Sequence, residues 1–303
     1  MRISDSILSA NYLASLNSNK EQVEQIQEHI ASGSKINKPS DSPSGISRVL
    51  RLQEQLQAGD TYTKNIEDSQ SFIQTTASTL EGMQNEIQDS LVLFTDASNP
   101  VNVSNYPSYA KQLDMTISSL LDLANSQFGG KYLFSGTDFS GKPYSLNGSR
   151  VEQNVPLTDG KQVVRISKYI DQTVNIPGND LFGAVPKPGD PVGTNTDIFN
   201  TLLRIKGDLE GGQRPSDSDV ALVKTFQENL AGQLTTAGNI INRLDSTHEL
   251  LDNQQLELKG LLSKEKDVDV AASVMDLQNR QYYLELSYKM SSMILPKSLL
   301  DYM

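Results

Sequence analysis

The chain has 303 residues, with 26 Lys plus Arg against 37 Asp plus Glu, a net charge of −11 and only 2 His. That acidity has the wrong sign for a phosphate backbone or an anionic lipid surface, which argues against nucleic acid as a partner and against membrane association. The absence of Cys removes disulfides, iron–sulfur clusters, thiolate metal sites and Cys nucleophiles together, so an enzyme is disfavoured before any motif is read.

From the N-terminus, Ile3, Ile7 and Leu8 lead into Leu13, Leu16, Val23, Ile26 and Ile30. This helical stripe stops at Ser32-Gly33, as a helix does at a C-terminal glycine. Val49, Leu52, Leu56, Ile66, Ile73, Leu80, Met83, Ile87, Leu91 and Phe94 then keep the three/four alternation of a seam, which predicts one long helix over 44–96. Asn99 to Pro107 breaks the chain, and Tyr109, Leu113, Ile117, Leu120, Ala124 and Phe128 mark a shorter helix that should fold back along the first.

Between Phe128 and Ser216 lie 13 of the 20 Gly and 7 of the 12 Pro, a density of helix breakers that the flanks lack. Lys131 to Ser135, Arg150 to Leu157 and Gln162 to Lys168 read as short strands between turns. Beyond them the alternation returns at Val220, Val223, Phe226, Leu230, Leu244 and Leu251, predicting a second long helix over 216–265. At 1.5 Å per residue each long helix spans roughly 75 Å, which implies an elongated body. Val270, Val274, Leu277, Leu284, Tyr288 and Ile294 form a last stripe after Asp267 and Asp269, where acidic residues favour a helix start. Tyr282 and Tyr283 are neighbours on it, so at most one can face its seam. Each terminal stripe lacks a local partner: the two must pair with each other or await copies of the same protein. The fold class expected is mainly α, an elongated antiparallel helical bundle or coiled coil built from the two ends, with a small β-rich inserted domain.

Three local patterns invite chemistry and are better explained without it. Gly136 to Lys142 matches G-x-x-x-x-G-K, but Pro143 follows where Ser or Thr should hold Mg²⁺, and no helix start is legible there. His248 and Asp252 at i and i+4 imitate half of a zinc-protease helix, yet no second His is near in sequence; a seam His bonded to a facing polar group is the expectation. Asn102-Val103-Ser104 and Asn147-Gly148-Ser149 fit the glycosylation acceptor but read as loops. Apart from Gly, the longest apolar run is Leu91 to Phe94, far below the roughly 18 residues of a spanning helix or the roughly 7 to 15 of a signal-peptide core. Neither a bilayer span nor the general secretory route is expected, and no catalytic, cofactor or metal site is predicted.

The ends carry longer signatures. Met1-Arg2-Ile3-Ser4, then Ile30 through Ile46 (IASGSKINKPSDSPSGI), and Ser291 through Tyr302 (SSMILPKSLLDY) resemble the paired terminal signatures of the flagellin superfamily. Gly129-Gly130-Lys131-Tyr132-Leu133-Phe134-Ser135-Gly136-Thr137 resembles the hook-associated branch of that superfamily more than filament flagellin. The resemblance covers roughly 1–138 and 208–303. It implies a structural adaptor at the hook–filament junction, exported unfolded by the flagellar type III apparatus to the extracellular flagellum, with terminal helices that order on assembly. The implied partners are copies of the chain itself, a neighbouring hook-associated protein, flagellin and an export chaperone. Terminal assembly helices are expected over 1–40 and 267–303, a helical core over 41–130 and 208–266, and an outer insert over 131–207. Ile3, Ile7, Leu13 and Leu16 at one end are expected to face neighbouring subunits. Leu284, Tyr288, Ile294 and Leu299 at the other are expected to face subunits or the chaperone. A filament subunit, or a type III needle-tip or translocator coiled coil, is the competing expectation.

Overall fold

The computed structural model describes residues 2–156, 158–190 and 196–294. In chain order the main helices are α1 (Arg2–Ser32), α2 (Pro43–Ala97), α3 (Tyr106–Ala124), α4 (Gly178–Phe182), α5 (Ile198–Glu210), α6 (Asp217–Lys266) and α7 (Val270–Ile294). The two long helices predicted from the seams are α2 and α6, with ends within a residue or two of expectation. The contacts divide the chain into two units: 1–58 with 253–303, and 59–252.

In the unit 59–252, α2 and α6 run antiparallel, as the cross-pairs Gln70 with Asp245 and Glu67 with His248 show. One continuous core joins Ile66, Ile73, Leu80, Met83 and Ile87 of α2 to Leu113 and Leu120 of α3, Leu202 and Ile205 of α5, and Val223, Leu230 and Leu244 of α6. The third predicted helix stops at Ala124 rather than 128. Gln127–Phe128 instead forms β1, paired antiparallel with β2 (Lys131–Tyr132), because Gly129 and Gly130 both take φ near +57 to +79° and turn the chain back at once. Two further antiparallel hairpins follow, β3 (Tyr144–Asn147) with β4 (Arg150–Gln153) and β5 (Val163–Ser167) with β6 (Ile170–Thr173).

Helix α5 was not anticipated from the sequence, although its signal is present: Ile198, Leu202, Ile205 and Leu209 repeat at helical spacing, and all four are buried. Asp197 caps it, its carboxylate accepting from the Asn200 N–H at 3.0 Å, a common N-terminal device. Asn200 in turn links α5 to β4, accepting from Val151 N–H at 3.0 Å and donating to Val151 O at 3.1 Å. The insert therefore has no core of its own. Phe134, Tyr144, Phe182, Phe199 and Phe226 stack with centroids 5.0 to 6.4 Å apart, locking hairpin, α4, α5 and α6 together.

In the other unit, α1 packs on α7, and the first turns of α2 meet the last turns of α6. The connections 33–42 and 267–269 are tied to each other as a short antiparallel bridge between Ser34 and Asp267. Lys35 N–H donates to Lys266 O at 2.7 Å, and Val268 N–H donates to Gly33 O at 3.1 Å. Gly33 takes φ +68°, which ends α1 and frees its carbonyl for that bridge.

Candidate assembly surface

Helices α1 and α7 show how far the chain can satisfy its own ends. The inner positions of α1 are Tyr12, Leu16, Asn19, Val23, Ile26 and Ile30, of which Val23 alone is fully buried. Those of α7 are Ser273, Leu277, Arg280, Leu284 and Ser287, all half-buried. Both sets follow the four/three spacing of a two-helix seam. The Tyr12 hydroxyl donates to Ser287 O, and the Arg280 guanidinium donates to the Gln22 amide oxygen. Because three of the five inner positions of α7 are polar, the pair gains little apolar burial.

The predicted site residues separate on this geometry. Leu16 and Leu284 turn inward to the α1–α7 seam and are half-buried. Ile7, Leu13 and Tyr288 stay exposed. Ile3 and Ile294 lie on α1 and α7 outside the residues whose side chains are described, and Leu299 lies outside the described residues. Tyr282 and Tyr283 are 59 and 60 % exposed, so neither faces the seam.

A second stripe was missed in the sequence. Met275, Tyr282, Leu286 and Met290 follow at i, i+7, i+11 and i+15, and all four are exposed. At 100° per residue they fall on the side of α7 opposite Leu277 and Leu284. Helix α7 thus carries apolar side chains on two sides, and pairing with α1 covers Leu277 and Leu284. The signal was available as the same heptad-like spacing, but the first stripe overlaps it in sequence.

The root of the terminal pair is built more firmly. The Asp41 carboxylate accepts from the N–H groups of Lys38 at 2.8 Å and Asn37 at 2.9 Å, and these bonds hold its pKa below the ordinary carboxylate value. Lys38 pairs with Glu28 at 2.9 Å. Pro43 opens α2, where a proline's missing N–H costs nothing, and Gly45 lets the turn close: a Cβ there would stand 2.6 Å from Ile36 Cδ1.

The remaining local patterns take these places in the fold. Gly136 to Lys142 runs into strand β3 through Pro143, so no helix N-terminus faces it. His248 is half-buried, with Nδ1 3.1 Å from Asp252 and Nε2 3.8 Å from Glu67 across the helix pair. Among the described residues no group of His, Asp and Glu is arranged to hold a metal, and no helix is long and apolar enough to cross a membrane.

Residues 3–138 match the model of the bacterial flagellin N-terminal helical region. The N-terminal part of the chain is thus similar to that of the flagellins. That family is structural, not enzymatic. The flagellin of Bacillus subtilis is 23 % identical over 96 % of this chain and 95 % of its own length. The flagellar hook-associated protein 3 of Escherichia coli is 23 % identical over 95 % of each. In fold, the solved flagellar hook-associated protein 3 of Legionella pneumophila aligns with a TM-score of 0.63 at 13 % identity, covering 71 % of this chain and 98 % of that one.

Proposed function

We propose that this protein is a structural axial component of the bacterial flagellum and serves as the adaptor at the hook–filament junction. The observation that carries this reading is the end-to-end similarity to hook-associated protein 3 of E. coli, which spans the insert as well as both helical ends. The chain works by binding and not by catalysis. It assembles with copies of itself, receives a neighbouring hook-associated protein on one side and offers flagellin an attachment point on the other. Export through the flagellar type III apparatus precedes assembly, with a chaperone on the α7 region, including Leu284, Tyr288, Ile294 and Leu299.

The segments 1–40 and 267–303 act as assembly helices, 41–130 and 208–266 as the helical core, and 131–207 as the outer insert. The two-faced α7 supports the division of labour. Leu277 and Leu284 hold α1, while Met275, Tyr282, Leu286 and Met290 remain for a neighbour, and exposed Ile7 and Leu13 extend that surface on α1. An uncovered apolar stripe of this kind marks a protein contact.

A strain lacking the chain tests the reading by electron microscopy. Hooks without filaments, with flagellin shed into the medium, are expected. The similarity to B. subtilis flagellin over 95 % of its length favours one second reading, a filament subunit, for which loss of the chain would leave hooks bare and no flagellin in the medium. Normal hooks and filaments would overturn both.

A further inference from the structure

Away from the terminal stripes, Arg48, Arg51, Leu52, Leu261, Lys264 and Glu265 line a cleft of about 330 Å³ between the first turns of α2 and the last turns of α6. Leu52 and Leu261 form an apolar lining. Glu265 is neutralised by Arg48, whose guanidinium meets it at 3.0 and 3.1 Å. Arg51 and Lys264 have no ion-pair partner among the described residues, so the cleft is positive in a chain of net charge −11.

Toward the end of α2 the sign reverses. Between Lys64 and Lys111 the chain carries Glu67, Asp68, Glu81, Glu86, Asp89 and Asp96 and no Lys or Arg. Asp89, Val92 and Asp96 share one exposed face of α2 at spacings of three and four, and Val101 just beyond is 84 % exposed. The carboxylates of Asp89 and Asp96 make no ion pair among the described residues. Val92 between two carboxylates, with Val101 just beyond them, is the chemical complement of a leucine-lined cleft rimmed by cations.

We propose that the cleft binds the Asp89, Val92, Asp96 and Val101 patch of a second copy of this chain. The inference rests on the assembly reading above and names a contact for it. Two different surfaces meet, so the contact is heterologous, and such contacts close into a ring or propagate as a helix. Opposite charges on the rims set its register and speed encounter, and salt weakens it by screening.

Charge reversal in the full-length chain, followed by sedimentation, tests the pairing. Arg51→Glu with Lys264→Glu, and separately Asp89→Lys with Asp96→Lys, are each expected to lower pelletable assembly by about tenfold or more. Their melting curves should stay as in the unaltered chain, because all four side chains are exposed. A one-to-one mixture of the two reversed chains should recover assembly, since each then presents the complement of the other, and the fourfold variant should recover it alone. Assembly of either reversed chain at the unaltered level, a mixture that stays soluble, recovery only with added flagellin, or an unaltered chain whose association is absent or indifferent to salt between about 50 and 500 mM would each overturn the proposal. Filament attachment in the deletion strain separates the two readings. If the unaltered chain and both reversed chains restore it equally, only the cleft pairing fails; if the unaltered chain does not restore it, the junction reading fails.

Discussion

The guanidinium of Arg48 donates to both carboxylate oxygens of Glu265, at 3.0 and 3.1 Å. This bidentate pair joins the first turns of α2 to the last turns of α6 immediately beside the Ser34 to Asp267 bridge. Hydrogen bonding to Arg48 lowers the Glu265 pKa, as the Lys38 and Asn37 N–H groups lower that of Asp41. A carboxylate with a depressed folded pKa stabilises the fold above its ordinary value and loses that contribution as pH falls through the folded one. The root of the terminal helices should therefore loosen in acid. Hydrogen exchange, corrected for intrinsic rates, is expected to show Asp41→Asn less protected than the unaltered chain over 33–45 at neutral pH. The difference should begin to shrink once pH drops below the ordinary carboxylate value and close as it falls through the depressed folded one. A constant difference across that range would rule out the ionised carboxylate as the cause.

Leu80 and Leu230 are fully buried in the core shared by α2 and α6. Truncation of either to Ala removes apolar contacts and leaves a cavity, an expected loss of about 2 to 5 kcal/mol. Denaturant unfolding measures it directly, and an unchanged midpoint for Leu80→Ala would contradict the burial.

Gly178 opens α4 beneath the ring of Tyr144. A Cβ there would lie 2.5 Å from the Phe134 carbonyl oxygen, a backbone atom that cannot simply swing aside. Gly178→Ala should destabilise the chain by about 1 to 3 kcal/mol through overpacking. The matched control is Gly141→Ala, where nothing lies within 4 Å of the added methyl. Equal melting of the two variants would show that the insert yields without cost.

The mixed seam between α1 and α7 gives little burial, so these helices should be the first part of the dilute chain to open. Limited proteolysis is expected to cut within about residues 1–35 and 270–303 first, leaving a resistant middle, with protection appearing on assembly. Termini as resistant as the core in dilute solution would show that the intrachain pair suffices.

Tyr282→Ser with Leu286→Ser changes the outward face of α7 and leaves Leu277 and Leu284 against α1. Assembly or filament attachment should be lost while the melting curve stays within about 0.5 kcal/mol of the unaltered chain, as for other exposed positions. A cooperative loss of stability would instead place these residues in the monomer's core.

Local periodicity alone determined α2 and α6 and the presence of helices α1 and α7, because a helix repeats every 3.6 residues whatever it packs against, while of the stripe expected on α7 Val270, Val274 and Tyr288 are exposed. The paired glycines marked the Gly129-Gly130 reversal, which the positive φ of both residues bears out. The signatures at the two ends carried the resemblance to the flagellin superfamily, and the similarity of residues 3–138 to the flagellin N-terminal region agrees with it. Three features needed the tertiary structure. Helix α5 was hidden among prolines and glycines, since its four apolar positions become persuasive only when α3 and β4 are there to receive them. The insert read as a body of its own in the sequence, whereas Phe134, Tyr144, Phe182, Phe199 and Phe226 form one ring cluster whose touching pairs lie up to 55 positions apart, which no local pattern encodes. Finally, α7 carries apolar residues on two sides, Leu277 and Leu284 on one and Met275, Tyr282, Leu286 and Met290 on the other. Which one turns inward is decided by where α1 lies, and that is set by the bridge joining Gly33, Ser34 and Lys35 to Lys266, Asp267 and Val268, a pairing of distant segments that the periodicity of either helix cannot specify.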